Sequence, residues 1–195
     1  MKEAGFKVLE NEWIKLSDGR RLSARIWLPD SALKKPSPAI LEYLPYRKRD
    51  GTAQRDDSTY PHFAAAGYVG LRVDISGTGE SDGDWDDECS PRELADGCEV
   101  IAWIAEQAWC DGNVGMMGIS WGGFNGLQIA ALKPSALKAV ISIGTTVDRY
   151  NDDIHYKGGC LLYSNFYWSS TMLCSGKPSA LRAIFLQRTS SRNVI

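Results

Sequence analysis

Long hydrophobic runs are missing from this 195-residue sequence. No stretch approaches the roughly 18 consecutive apolar residues that a membrane-spanning helix requires. The opening from Met1 to Lys15 scatters Lys2, Glu3, Lys7, Glu10, Glu12 and Lys15 among single apolar residues, unlike a signal or transit peptide. A cytoplasmic protein with no membrane partner is expected. Cysteine is sparse and unpaired in pattern: Cys89, Cys98, Cys110, Cys160 and Cys174 include no C-x-x-C pair and have no histidine at zinc-finger spacing, so free thiols are expected. The net charge is only −2 and the basic residues are not interleaved with aromatics, which gives no reason to expect a nucleic-acid partner. Internal repeats and low-complexity tracts are absent. Histidine is scarcest, with only His62 and His155.

What is present is a hydrophobic content of 44%, enough to bury one ordinary core. Charge is unevenly spread. All 24 acidic residues lie at or before Asp153, so the first 153 residues carry −7 and the remaining 42 carry +5. Such a shift marks a boundary or an altered reading. Three segments follow: 1–146 as the main domain, 147–175 as the aromatic-rich start of a helical cap insertion, and 176–195 as an atypical tail in which a frameshift or misjoined exon is expected.

The periodicity predicts an alternation of strands and helices. Phe6 to Leu16 and Arg21 to Leu28 alternate polar with apolar around a Ser17-Asp18-Gly19 turn, which reads as an antiparallel edge hairpin. Ala39 to Tyr43, Tyr68 to Val73, Val114 to Met117 and Leu137 to Ile143 are short apolar runs of strand length. Between them lie helices over Tyr60 to Ala66, from Pro91 to near Gln107, and over Trp121 to Leu132. Strands alternating with helices build βαβ units and a mostly parallel sheet, so the class is α/β.

One motif carries chemistry. Gly118-Ile119-Ser120-Trp121-Gly122 has the G-x-S-x-G pattern of a nucleophile elbow, in which a serine sits on a strained strand-to-helix turn and flanking glycines let backbone approach without a Cβ clash. A helix starting behind Ser120 aims free N–H groups at a developing oxyanion, the Trp121 amide first among them. The plain alternative is a Gly/Ser-rich turn of the kind any doubly wound protein can contain; the predicted strand before and helix after favour the elbow.

The elbow with Asp111-Gly112-Asn113-Val114-Gly115 and Gly123, the Asp74…Gly77-Thr78-Gly79-Glu80-Ser81-Asp82-Gly83 segment, Pro45-Tyr46-Arg47-Lys48, Trp109-Cys110, and His155-Tyr156-Lys157-Gly158-Gly159-Cys160 resembles the cocaine-esterase and X-Pro dipeptidyl-peptidase (CocE/NonD) group of α/β-hydrolases. The resemblance covers about residues 8 to 174. It implies the N-terminal part of an α/β-hydrolase sheet with an antiparallel first hairpin. It further implies a serine hydrolase acting on a small-molecule ester, amide or peptide, with Ser120 as nucleophile and no cofactor or metal. Tyr46 matches the position of the tyrosine whose hydroxyl serves the oxyanion hole in that group, although it also reads as a packing aromatic beside Pro45. The group usually has arginine where this sequence has Ser76 and proline where it has Ala108, which puts the packing of the Ser76 loop in question.

The rest of a triad is harder to find. In this fold the acid and the histidine follow the serine on separate loops. After Ser120 the acids are Asp148, Asp152 and Asp153 and the histidine is His155, all within eight positions, whereas successive parallel strands need a crossover of a dozen residues or more. His155 is therefore expected to be structural. The sequence is expected to stop short of the triad acid and histidine, and a non-catalytic fragment or pseudoenzyme that keeps the front half of the fold stands as the alternative. Asp82, Asp84, Asp86 and Glu93 occur at calcium-loop spacing but lack the glycine of the sharp turn, so a solvated acidic loop is expected. Gly77-Thr78-Gly79 lacks the third glycine of a dinucleotide loop and is expected at the carboxyl edge of the sheet. Phe166, Tyr167 and Trp168 read equally as an acyl-pocket lining or as cap packing.

Overall fold

The computed structural model describes residues 5–175, and the tail expected to be atypical, 176–195, lies outside them. Six strands form one twisted sheet in the order β1-β2-β4-β3-β5-β6. β1 (Phe6–Lys15) and β2 (Arg21–Pro29) make the predicted antiparallel hairpin, with Gly19 supplying the positive φ of its turn. β2 also pairs antiparallel with β4 (Val69–Asp74). From there the sheet is parallel: β4 with β3 (Ser37–Leu44), β3 with β5 (Cys110–Ile119), and β5 with β6 (Leu137–Ile143). The carboxyl ends of β3, β4 and β5 thus open onto one edge.

Each parallel crossover runs through a helix: α1 (Ala53–Ala65), α2 (Pro91–Ala105) and α3 (Trp121–Ala131). Alternation along β2 divides the core. Ile26 and Leu28 belong to the main cluster with Leu41, Tyr43, Val100, Ile104 and Ile129, which includes residues of α2 and α3. Trp27, between them, faces the other way and stacks on Tyr60 of α1 with ring centroids 4.3 Å apart. Full burial of side chains such as Leu41, Val73 and Ile104 stabilises the fold by about 1.5–3 kcal/mol each.

α1 starts seven residues earlier than the expected Tyr60. Its first half, Ala53 to Thr59, is mostly polar, yet Asp56 is fully buried and pairs with Arg55 at 2.7 Å and Arg72 at 3.5 Å. Glu42, also buried, accepts from Arg55 and from the Tyr60 hydroxyl at 3.1 Å. One carboxylate of an otherwise partly exposed polar run is held in the interior by paired charges, which hydrophobic periodicity cannot register.

Beyond β6 the chain leaves the sheet. β7 (Tyr156–Lys157) and β8 (Cys160–Leu161) form a small antiparallel hairpin, followed by α4 (Ser164–Ser175). Trp168 and Met172 of α4 pack against the main core. Among the described residues no helix is long and apolar enough to cross a membrane.

Candidate active site

β5 ends at Ile119 and α3 begins at Trp121, so Ser120 alone makes the turn. Its backbone sits at φ 54, ψ −118, a conformation that strains any residue with a Cβ and is retained only where the surroundings enforce it. The surroundings are glycines. A Cβ at Gly118 would lie 2.7 Å from the Gly122 Cα, one at Gly122 would lie 2.9 Å from Leu44 Cδ2, and one at Gly123 would lie 2.6 Å from Thr145 Cγ2. The Ser120 N–H donates to Ile143 O of β6 at 2.8 Å, which ties the turn to the neighbouring strand. Phe124 N–H closes the first helical turn on Ser120 O at 2.9 Å, and helical geometry leaves the N–H groups of residues 121–123 without intrahelical acceptors.

Tyr46 follows β3, the strand beside β5, and its hydroxyl interacts with the Ser120 side chain. Burial, and then the carboxylate of Glu88, push the phenol well above its ordinary range, so it remains a protonated donor at physiological pH. Its ring stands edge-on to Trp121 at 6.5 Å and to Trp168 at 6.0 Å, which places it between the start of α3 and α4. The turn that carries it is anchored from below. Lys48 is fully buried, its backbone N–H donates to Asp74 Oδ1 at 2.9 Å, and its ammonium pairs with Glu80 at 2.7 Å.

A cavity of about 470 Å³ opens beside the elbow, walled by Trp85, Trp121, Trp168 and Met172 and bordered by Glu88, Arg149 and His155. Trp121 joins this cavity to Ser120, which is its neighbour in the chain. Trp168 lines the cavity as the acyl-pocket alternative requires, whereas Phe166 and Tyr167 point to solvent, 67% and 72% exposed. Glu88 ties the segment after β6 to the loop before α2. It accepts from Arg149 at 3.1 Å and lies 3.2 Å from His155 Nε2, while Arg149 also pairs with Asp153 at 2.6 Å and lies over the Phe124 ring at 4.2 Å.

His155 thus has a carboxylate partner away from the nucleophile, and its Nδ1 is buried without a hydrogen-bond partner among the described residues. Asp148 caps its own turn through Tyr150 N and Asn151 N, and Asp153 serves Arg149 and the His155 N–H. None of the three is brought to Ser120 by these bonds. His62 is exposed on α1. Among the described residues no group of three His, Cys, Asp or Glu side chains is placed to hold a metal.

One expectation needs correction, and one open question is answered. The acidic loop is only partly solvated: Asp84 and Asp86 are exposed, but Glu93 is buried at the start of α2, where burial pushes its carboxyl up to about 7. The packing of the Ser76 loop, left in question by the sequence, is supplied from another element. Arg20, from the β1–β2 turn, donates to Ser76 Oγ and grips Asp96 of α2 with two bonds of 2.7 and 2.8 Å, filling the space above the small serine with a guanidinium from another element.

An antiparallel hairpin leading into parallel strands, with helices on both faces and a strained serine between β5 and α3, defines an α/β-hydrolase fold. Comparison with known proteins gives the family: the model of the X-Pro dipeptidyl-peptidase (S15) family matches residues 18–193, and the chain belongs to it. Its relatives are hydrolases, esterases and peptidases. The cocaine esterase of Rhodococcus sp. (strain MB1 Bresler) is 33% identical over 181 residues, covering 90% of this chain and 30% of that protein. A CocE/NonD family hydrolase from Staphylococcus aureus superposes with a TM-score of 0.74 at 23% identity, over 87% of this chain and 33% of the other. An alpha-amino acid ester hydrolase superposes with a TM-score of 0.68 at 24% identity, over 86% and 30%. The chain therefore spans about a third of the length of the relatives it matches.

Proposed function

We propose that this chain contributes the nucleophile and the oxyanion hole of a serine hydrolase that cleaves an ester or amide bond through an acyl-enzyme on Ser120. The observation that carries the reading is the strained Ser120 turn, with the Tyr46 hydroxyl near enough to interact with the serine side chain. In this reading Ser120 Oγ attacks the substrate carbonyl carbon and its proton passes to a general base. The carbonyl oxygen, now an oxyanion, is held by the Tyr46 hydroxyl and the Trp121 N–H. Collapse of the tetrahedral species expels the alcohol or amine, protonated by the base, and leaves the acyl group on Ser120 for water to remove. The three-tryptophan cavity accepts the acyl portion, and a small-molecule ester, amide or peptide is the substrate class.

The base and its acid are proposed to come from residues outside this sequence, since His62 is exposed on α1 and His155 is committed to Glu88. A general base contributes about 10²–10⁴ in rate, so the sequence as it stands is expected to be weakly active. The same observation on His155 supports a second reading, in which the chain is a non-catalytic relative that keeps the front half of the fold.

Stopped-flow acylation by a p-nitrophenyl ester separates the two. The hydrolase reading predicts release of p-nitrophenol up to one equivalent per chain, abolished in Ser120→Ala. Equal slow release from both proteins supports the non-catalytic reading.

A further inference from the structure

Glu93 takes no part in the chemistry proposed above, yet three hydrogen bonds converge on its buried carboxylate. Oε1 accepts from Trp121 Nε1 at 2.7 Å and from Asn125 Nδ2 at 2.6 Å, and Oε2 accepts from the Cys89 N–H at 3.0 Å. Its own carbonyl accepts from the Tyr43 hydroxyl at 3.2 Å, and Asn125 Nδ2 also donates to the Tyr43 carbonyl at 3.2 Å. The first turn of α2, the first two turns of α3 and the end of β3 meet at this one side chain.

A role confined to capping α2 does not account for the geometry. Ser90 Oγ does accept the Glu93 N–H at 3.2 Å, the first half of a capping box. In such a box the glutamate turns back along its own helix. Here Oε1 is turned instead toward α3, where Trp121 and Asn125, four residues apart, present both donors from one face. Burying a carboxylate is costly unless its lone pairs are met, and an apolar side chain would fill the same space without that cost. What the carboxylate adds is direction: it fixes the indole of the residue that follows the nucleophile. That indole stands edge-on to Tyr46 at 6.5 Å and tilted against Trp85 at 5.9 Å.

We propose that Glu93 is a positioning residue for the oxyanion site, holding the start of α3 through the Trp121 indole and Asn125 so that the Trp121 amide and the Tyr46 hydroxyl converge beside Ser120. The inference rests on the serine-hydrolase reading for its kinetic consequence. Both oxyanion donors depend on Trp121, one through its own backbone and the other through its ring, so loosening the indole displaces both at once. Displacements of about 1 Å at a reacting centre cost about 10²-fold in rate.

The test measures phosphonylation of the full chain by a fluorophosphonate, separated into the saturating rate and the half-saturating concentration, with hydrogen exchange at amides 121–125 recorded alongside. Glu93→Ala is expected to lower the saturating rate about 10²-fold while half-saturation stays within about threefold, because Trp85 and Trp168 still wall the cavity. Glu93→Gln keeps a carbonyl for Trp121 and Asn125 and is expected to recover most of the rate. Trp121→Phe keeps the ring and the backbone but removes the indole donor, and is expected to behave like Glu93→Ala; it decides the matter if Glu93→Ala does not fold. A wild-type saturating rate in folded Glu93→Ala or Trp121→Phe overturns the proposal, as does a Glu93→Gln protein no faster than the alanine variant. If wild-type Ser120 takes no label, the serine reading fails and exchange judges the clamp. Faster exchange at 121–125 in Glu93→Ala, restored in Glu93→Gln, then supports it, and unchanged exchange overturns it.

Discussion

Tyr46, from the turn after β3, stands beside Ser120, from the turn after β5, and its hydroxyl interacts with the serine side chain. The two strands are parallel neighbours in the sheet, so their carboxyl ends deliver both hydroxyls to the same edge. Burial keeps the phenol protonated, and a protonated phenol fixed beside a nucleophile is an oxyanion donor that needs no reorganisation when charge develops.

Removing that donor is the first prediction. Tyr46→Phe keeps the ring between Trp121 and Trp168 and deletes only the hydroxyl. Acylation of Ser120 is expected to slow by about 10²–10³-fold, the usual effect of losing one oxyanion-hole donor, with a thermal midpoint near that of the wild type. Stopped-flow acylation and a thermal scan on the same samples check both halves.

The glycines of β5 should differ sharply in tolerance. A Cβ at Gly118 would meet the Gly122 backbone, which cannot swing aside, whereas the nearest atoms to one at Gly115 are 3.8 and 3.9 Å away. Gly118→Ala is expected to abolish acylation and to destabilise by about 1–3 kcal/mol or more, and Gly115→Ala to stay within about 0.5 kcal/mol. Urea unfolding midpoints at constant m-value report the difference.

How much of this was readable in the sequence depends on how far each interaction reaches. The turn at Ser120 was legible because its glycines lie within a few residues of one another and strain is local. β6 was legible from its own apolar run. The first half of α1 was not, because the partner that makes a buried Asp56 acceptable, Arg72, lies on another element. Glu93 was hidden for the same reason: its donors belong to a different helix, and only their four-residue spacing, Trp121 to Asn125, hinted at a shared polar partner. The packing of the Ser76 loop stayed open because the guanidinium above it comes from the β1–β2 turn, far away in sequence.

Arg20 carries the third prediction. It joins that turn to α2 through two bonds to the buried Asp96. Arg20→Ala leaves the buried Asp96 without a cation, with the Ser76 hydroxyl still donating to it at 3.0 Å, and is expected to cost about 2–4 kcal/mol. Arg21→Ala removes a pair with Asp82 in which the arginine side chain is half exposed, and should cost under about 1 kcal/mol. Chemical denaturation of the two variants side by side tests the ranking.

Glu93 sets a pH dependence of stability. Its carboxyl is pushed up from the ordinary 4.5 to about 7, first by burial and further by the nearby Glu88 carboxylate, against the three hydrogen bonds that favour the charge. The native state therefore binds this proton more tightly than the unfolded chain does. Stability from this group is full below about pH 4.5, falls as pH rises to about 7, and is level above that. Tyr43 and Cys89, the other titratable groups against it, are raised too, Cys89 to about 12, and stay neutral across that window. The free-energy difference between wild type and Glu93→Gln is expected to drift by on the order of 3 kcal/mol between pH 5 and pH 8, in favour of the wild type at the acid end. Paired urea titrations at the two values measure it.

The central claim, that Ser120 is the nucleophile held in its elbow beside the oxyanion donors, is tested most directly by locating a covalent adduct. After exposure of the folded chain to a fluorophosphonate, intact-mass measurement and peptide mapping are expected to place a single phosphonyl group on Ser120, with none in Ser120→Ala. A folded wild-type chain that takes no adduct, or one that carries it on another residue and keeps it in Ser120→Ala, would contradict the account.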